Sequence, residues 1–312
     1  MKNIFDQSYF KNKISRRKLI IDSSKILAAT AFFSSPLTSF AASFLNRFEQ
    51  VTVGQIMDAF IKQVPGGEKS TTVDTLKAGN REIVVTGVVT TMFATIDVIR
   101  KSIALGANFI IAHEPTFYNH ADDTKWLESN DVYQYKMNLL KQHNIAVWRN
   151  HDYIHSAVPD GVLVGVVEQL GWQKYEDKTV PYLFNFEPAP KLDGLINELK
   201  TKMGIKMVRY IGDLNQPCKK VLFMEGSAGG KTQISGTSLI KPDVLICGEI
   251  SEWETAEYVR DARAKGDPLS LIVLGHIASE EPGSDYLLKW MKTNFPAIKT
   301  THLAAGNSLS FR

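Results

Sequence analysis

Short, wholly apolar runs separated by stretches of helical periodicity set the fold class of this chain. Phe109-Ile110-Ile111-Ala112, Ile145-Ala146-Val147-Trp148, Val221-Leu222-Phe223-Met224, Val244-Leu245-Ile246-Cys247 and Leu271-Ile272-Val273-Leu274 contain no polar residue. Runs of that length without alternation are the signature of strands covered on both faces. Helical patterns lie between and around them. Thr52-Val53-Gly54-Gln55 makes a capping box, and Val53, Ile56, Met57, Phe60, Ile61 and Val64 then recur at helical spacing until Pro65-Gly66-Gly67. Helices are predicted over 92–105, 132–142, 192–203, 256–264 and 285–292, with a further one opened by Pro159 and running to Leu170. Additional strands are predicted at Ile83-Val84-Val85, over 182–186 and over 208–211. Such alternation predicts an α/β fold, a mainly parallel sheet with helices on both faces. The section from 182 to 211 is a possible middle subdomain of a domain spanning 42–312, and no clean linker interrupts residues 50–312.

Bulk properties narrow the class further. The 312 residues are 44% hydrophobic and 22% charged, an ordinary globular balance. A net charge of +3 is too small to argue for a nucleic-acid partner. No apolar run of about 20 residues marks a stable membrane span. Cys218 and Cys247 form no metal-type Cys-x-x-Cys pair, and a single disulfide between them is left open.

Residues 1–41 read as an export signal. A basic stretch (Lys11, Lys13, Arg16, Arg17, Lys18) precedes a weakly apolar one from Ile26 to Phe33 and a small-residue end, Ser39-Phe40-Ala41-Ala42. Ser15-Arg16-Arg17-Lys18-Leu19-Ile20 looks like a twin-arginine motif, which implies export to the periplasm of an already folded protein. A basic amphipathic helix is the alternative.

Chemistry concentrates where the apolar runs stop. His113-Glu114, His151-Asp152 and His276-x-x-x-Glu280 each follow such a run. In an open α/β sheet the carboxyl ends of the strands form one crevice, where ligands bind. Mixed imidazole and carboxylate donors suit zinc, manganese or iron. Six donors are too many for one zinc, but they fit two metal ions sharing a bridging water. Pro115 keeps Glu114 out of a helix, and His276 and Glu280 share a helical face if that turn is helical. Asp152 is the preferred ligand of its segment, because a carboxylate can bridge two cations. His151 and His155 are each a ligand, a proton shuttle or a surface residue. Glu249 is a candidate orienting acid or base, and Glu281 is expected to be solvated. His143 reads as a helix-end residue, His302 as near the last strand, and His120 as close enough to His113 to enter the pocket.

Gly226-Ser227-Ala228-Gly229-Gly230-Lys231-Thr232 follows a strand and resembles a phosphate-binding loop, but only three residues separate its first Gly from Gly-Lys, where the loop needs four. The sequence after Thr232 is not clearly helical. A tight turn whose backbone N–H groups at Gly226, Gly229 and Gly230 hold an anion is the better reading.

The segments Ile110–Pro115, Gly226–Gly230, Asp243–Glu249 and Gly275-His276-x-x-x-Glu280 occur in an order that resembles the Nif-three-like dinuclear metal-centre hexameric proteins, one branch of which is called GTP cyclohydrolase 1 type 2. The resemblance spans roughly residues 50–312. It implies two divalent metal ions on an α/β fold and a homohexamer. Carried onto this chain it implies His113, Glu114, Asp152, His276 and Glu280 as metal ligands. Where the family has two consecutive histidines, the second is Glu114 here, which makes the site more anionic and favours harder metals. Two functions follow as expectations. One is a metal-dependent hydrolase of a small anionic or heterocyclic molecule, with His151, His155 or Glu249 moving the proton. The other is a non-catalytic protein that uses the metal for assembly, storage or regulation.

Overall fold

In the computed structural model, which describes residues 50–310 and Arg312, the predicted alternation is present but builds two sheets rather than one. The export segment lies outside the described residues. The nine helices described are α1 (Val53–Gln63), α2 (Ile96–Ala104), α3 (Asp131–Gln142), α4 (Asp152–Ser156), α5 (Gly161–Leu170), α6 (Leu192–Met203), α7 (Gly230–Ile240), α8 (Glu257–Ala264) and α9 (His276–Asn294). The strands are β1 (Leu76–Ala78), β2 (Val88–Thr91), β3 (Phe109–Ala112), β4 (Ala146–Arg149), β5 (Leu183–Asn185), β6 (Arg209–Ile211), β7 (Lys220–Met224), β8 (Val244–Cys247), β9 (Ser270–Val273) and β10 (Thr300–His302).

The first sheet runs β1-β4-β3-β2-β10 and the second β5-β7-β8-β9-β6. The pairings β10–β2, β2–β3, β3–β4, β7–β8 and β8–β9 are parallel. The short edge strands β1, β5 and β6 pair antiparallel. The expected middle subdomain is absorbed in this way: β5 and β6 become opposite edges of the second sheet, and α6 covers it.

Local chemistry explains most element boundaries. Thr52 Oγ1 accepts from the Gln55 amide while Gln55 Oε1 accepts from the Thr52 amide, closing the capping box of α1. Asp160 caps α5 by accepting from the Val162 and Leu163 amides. Three expectations fail. Ile83-Val84-Val85 makes only an isolated bridge, Thr52 with Val84. The strand lies instead at Val88–Thr91, where two threonines broke the apolar signal although all four residues are buried. The stretch after Thr232 is helical in α7. Finally, α9 begins at His276 rather than near Asp285 and runs through Pro282 without a break.

Helix α5 ties the two halves together. Its Val162 joins the core of the first sheet with Phe60, Trp148 and Leu287, while Val166, Val167 and Leu170 join that of the second with Trp172, Phe223 and Ile246. Gly165 lets the backbone of α9 approach, since a Cβ there would collide with the Pro282 carbonyl. This contact holds the N-terminal turn of α9, with His276 and Glu280, against the ends of both sheets. Cys218 and Cys247 are buried free thiols, so the disulfide left open by the sequence is not formed. No described helix is long and apolar enough to cross a membrane.

Candidate metal centre

Four histidine side chains converge on two carboxylates at the carboxyl ends of β3, β4 and β9. His113 follows β3, His151 follows β4, His155 lies on α4, and His276 opens α9. The Nε2 atom of each faces inward. His276 Nε2 lies 2.9 Å from Glu280 Oε2 and 3.2 Å from Glu114 Oε1. His113 Nε2 lies 3.4 Å from Glu280 Oε2, His151 Nε2 3.8 Å from Glu114 Oε1, and His155 Nε2 3.9 Å from Glu280 Oε1. The rings of His113, His151 and His155 sit 4.9 to 5.1 Å apart.

Each Nδ1 is held from behind by an oxygen. His113 Nδ1 meets the Asn150 carbonyl at 3.2 Å, His151 meets Asp152 Oδ1 at 3.0 Å, His155 meets Asp160 Oδ2 at 2.9 Å, and His276 meets Glu249 Oε1 at 3.3 Å. An oxygen on Nδ1 favours the tautomer that presents the Nε2 lone pair inward once the ring is neutral, the arrangement that metal-ligating histidines use.

The donor set fits divalent cations. Donor atoms of His113, Glu114 and Glu280 lie within 4.8 Å of one another, as do those of His113, His151 and His155. His113 Nε2 is buried and has no hydrogen-bond partner. Neutral imidazoles and ionised carboxylates are the ligands zinc, manganese and iron take. The carboxylates are already biased that way, while the imidazole of His276 holds a proton that a metal would displace. Burial opposes ionisation of Glu114, but hydrogen bonding to His276 and the charge of His113 hold its carboxyl below the usual range. Burial likewise disfavours the His276 cation, yet hydrogen bonds with Glu114, Glu249 and Glu280 push it up to about 12. A cation taking the place of that proton meets the same carboxylates.

The structure distributes the sequence candidates unevenly. His113, Glu114, His276 and Glu280 meet as expected. His155 enters the inward set, whereas Asp152 does not: its carboxylate accepts from Thr72 Oγ1 at 2.8 Å and the Val73 amide at 3.2 Å and otherwise holds His151. His151 and His155 both turn Nε2 toward the carboxylates, with Nδ1 held by Asp152 and Asp160. Glu249 keeps one oxygen on His276 and is half-exposed. Glu281 is not solvated; it faces His302 Nε2 at 3.4 Å and accepts from the Ala305 amide. His120 does reach the site, its ring 5.8 Å from that of His151.

The glycine turn after β7 serves the centre itself. A Cβ on Gly226 would collide with the Glu280 carboxylate, and one on Gly230 with that of Glu254. Gly226 also has a φ of +60° and donates its amide to Ser279 Oγ at 2.9 Å. Gly226 and Gly230 are thus occupied by the chain's own carboxylates, and Gly229 has open space around its missing Cβ. Gly226→Ala is expected to displace Glu280 and weaken metal affinity by about 10- to 100-fold, read by competition with a chromogenic chelator. Unchanged affinity would mean Glu280 does not bind metal.

Several functional residues had no sequence reading. Asp74, buried before β1, accepts from the amides of His151, Asp152 and Tyr153 at 2.7 to 3.0 Å and so anchors α4. Arg149, fully buried at the end of β4, donates to the His113 and His120 carbonyls and lies 3.4 Å from Glu114 and 3.5 Å from Asp122. A single arginine closing an apolar strand run was the available signal. Glu225 follows β7 with both carboxylate oxygens buried and unpartnered. Its burial and the nearby Asp160 push its carboxyl up to about 8.

The centre opens into a cavity of about 1020 Å³. Glu114, His151, His155, His276 and Glu280 line one end, and Phe93, Ile96, Tyr118, Tyr182, Met224 and Ile277 supply apolar walls. Such a mixture, mostly apolar with few polar groups, is that of a small-molecule site.

Comparison with known proteins agrees with this architecture. The model of the family described as Duf34/NIF3 (NGG1p interacting factor 3) matches residues 55–306. A protein of Clostridium perfringens named GTP cyclohydrolase 1 type 2 homolog is 26% identical over 216 residues, 66% of this chain and 78% of that one. A namesake in Clostridium acetobutylicum is 25% identical over 217 residues, 66% and 76% of the two chains. Among solved structures, Staphylococcus aureus protein SA1388 superposes with a TM-score of 0.66 at 19% identity, over 85% of this chain and 99% of its own. A Bacillus cereus protein related to NIF3 gives 0.67 at 15% identity, over 84% and 98%.

Proposed function

The chain belongs to the Duf34/NIF3 family, and from that premise we propose that it is a dinuclear metal-dependent hydrolase of a small anionic or heterocyclic, nucleotide-like molecule. One observation carries this reading: four Nε2 atoms, each fixed by an oxygen on Nδ1, face Glu114 and Glu280 at the end of an open cavity. Two divalent cations, zinc, manganese or iron, would supply Lewis acidity and a water of lowered pKa at that point.

This chain's residues do the rest. His113, His276, Glu114 and Glu280 would hold one cation, and His151 and His155 would extend the donor set toward a second. Asp152, Asp160, Glu249 and the Asn150 carbonyl keep the imidazoles in the ligating tautomer. Glu249 has an exposed carboxylate at the cavity wall and is placed to accept a proton from water or substrate. The apolar walls keep bulk water from the reacting end. The family resemblance supports a homohexamer, and the Ser15–Ile20 motif supports periplasmic residence after export.

Elemental analysis of the mature protein, residues 42–312, purified without added metal, tests the reading. About two equivalents of metal per chain are expected, with turnover of nucleotides or phosphoesters that chelation abolishes. No bound metal, and none taken up on titration, overturns it. Two bound metals without turnover of any such substrate would favour the assembly, storage or regulatory alternative.

A further inference from the structure

A buried ammonium in the cavity wall has no anionic partner of its own. Lys136 on α3 is 4% exposed and lines the cavity that opens from the metal centre. Its Nζ donates to the Thr116 carbonyl at 2.7 Å and lies 5.6 and 5.5 Å from the ring centroids of Phe117 and Tyr118. An ammonium has three N–H donors, and this contact uses one. Asp122, the carboxylate whose charge it feels, is committed elsewhere. It lies 3.2 Å from Lys77 and 3.5 Å from Arg149 and accepts from the Phe117 amide.

The other buried cations near this site, Lys77 and Arg149, are each paired with a carboxylate. A desolvated charge without a counter-charge is costly to keep. Burial already lowers the Lys136 amine to about 8. What relieves such a charge is an oxyanion entering from the cavity, where a charge-assisted hydrogen bond in apolar surroundings is strong. Tyr118, Asn119 and His120, from the loop that holds Thr116, border the same space.

We propose that Lys136 anchors an oxyanion, phosphate or carboxylate, on the substrate whose reacting end lies at the His/Glu centre. The proposal rests on the hydrolase reading above and adds to it a requirement: a charged group set apart from the reacting atoms, joined to a body that fits between aromatic and aliphatic walls.

The test uses the full chain as wild type, Lys136→Met and Lys136→Arg, with metal content measured first. Calorimetric titration with a nucleoside 5′-monophosphate, the uncharged nucleoside and benzoate gives the affinities. Lys136→Met is expected to weaken an anionic probe by about 10- to 100-fold while metal content and nucleoside affinity stay unchanged, and Lys136→Arg is expected to recover most of the loss. Loss for the monophosphate alone identifies a phosphate anchor, and loss for benzoate alone a carboxylate anchor. Equal affinities of wild type and Lys136→Met for both anions overturn the proposal, as does failure of the wild type to bind either. A parallel loss for the uncharged nucleoside also overturns it, since that marks a structural role at Thr116. Repeating the titrations after chelation separates the two readings. A Lys136 dependence that survives metal removal stands without the hydrolase reading, and its absence in metal-loaded protein removes the anchor while leaving the metal centre untouched.

Discussion

The variant His113→Ala with His276→Ala is expected to lose nearly all bound metal while keeping its fold. Both removed atoms face Glu280, at 3.4 and 2.9 Å, so the pair takes two imidazole donors from one coordination position. Glu114 and Glu280 would keep only the more distant imidazoles of His151 and His155, at 3.8 and 3.9 Å, and zinc or iron is then held poorly. The sites sit after strands rather than within them, and the cores around Trp148 and Trp172 are untouched. Far-ultraviolet circular dichroism should therefore match the wild type. Metal content should fall from about two equivalents per chain to a trace, with His143→Ala, at the C-terminal end of α3, as the unaffected control. Metal content equal to the wild type would show that these imidazoles are not ligands.

Arg149→Met is expected to be the most destabilising single change near the site. The guanidinium is fully buried and lies 3.4 Å from Glu114 and 3.5 Å from Asp122, and it also caps the His113 and His120 carbonyls. Methionine fills much of the volume but leaves two buried carboxylates short of their counter-charge. Removing one partner of a buried ion pair costs about 3–5 kcal/mol. Lys77 still faces Asp122 at 3.2 Å and moderates the loss at that end. Urea unfolding of the metal-free protein, with the slope unchanged and the midpoint lowered, is the readout. A loss below about 1 kcal/mol would mean that Glu114 and Asp122 do not depend on this arginine.

Much of the scaffold was legible in the sequence because its signals are local. The apolar runs of β3, β4, β7, β8 and β9 were readable, and so was α6 over its whole length, from Leu192 to Met203. His276 and Glu280 were readable as a pair, since four residues make one helical turn. The failures have physical causes. The strand Val88–Thr91 was hidden because threonine is polar in a sequence pattern yet forms strands readily and buries well beside other strands. The second sheet was hidden because strand runs carry no mark of which neighbour they pair with. Glu281 was misread because its partner, His302, arrives from β10.

The sequence alone determined that strand ends would carry imidazoles and carboxylates, because a polar residue straight after an apolar run must lie where the sheet stops. It determined four inward-facing residues: His113, Glu114, His276 and Glu280. Only the tertiary structure decided which residues of the segment between 151 and 155 join them, His151 and His155 rather than Asp152. Asp152 and His155 lie three positions apart on a five-residue helix, and local spacing allows either one. Asp74 fixes that choice. By accepting the His151, Asp152 and Tyr153 amides it sets the rotation of α4. Thr72 and Val73 then take the Asp152 carboxylate, and Asp160 turns the His155 ring inward. The bonds from Thr72, Val73 and Asp74 join residues 77 to 80 positions apart, and no pattern within one segment can contain them.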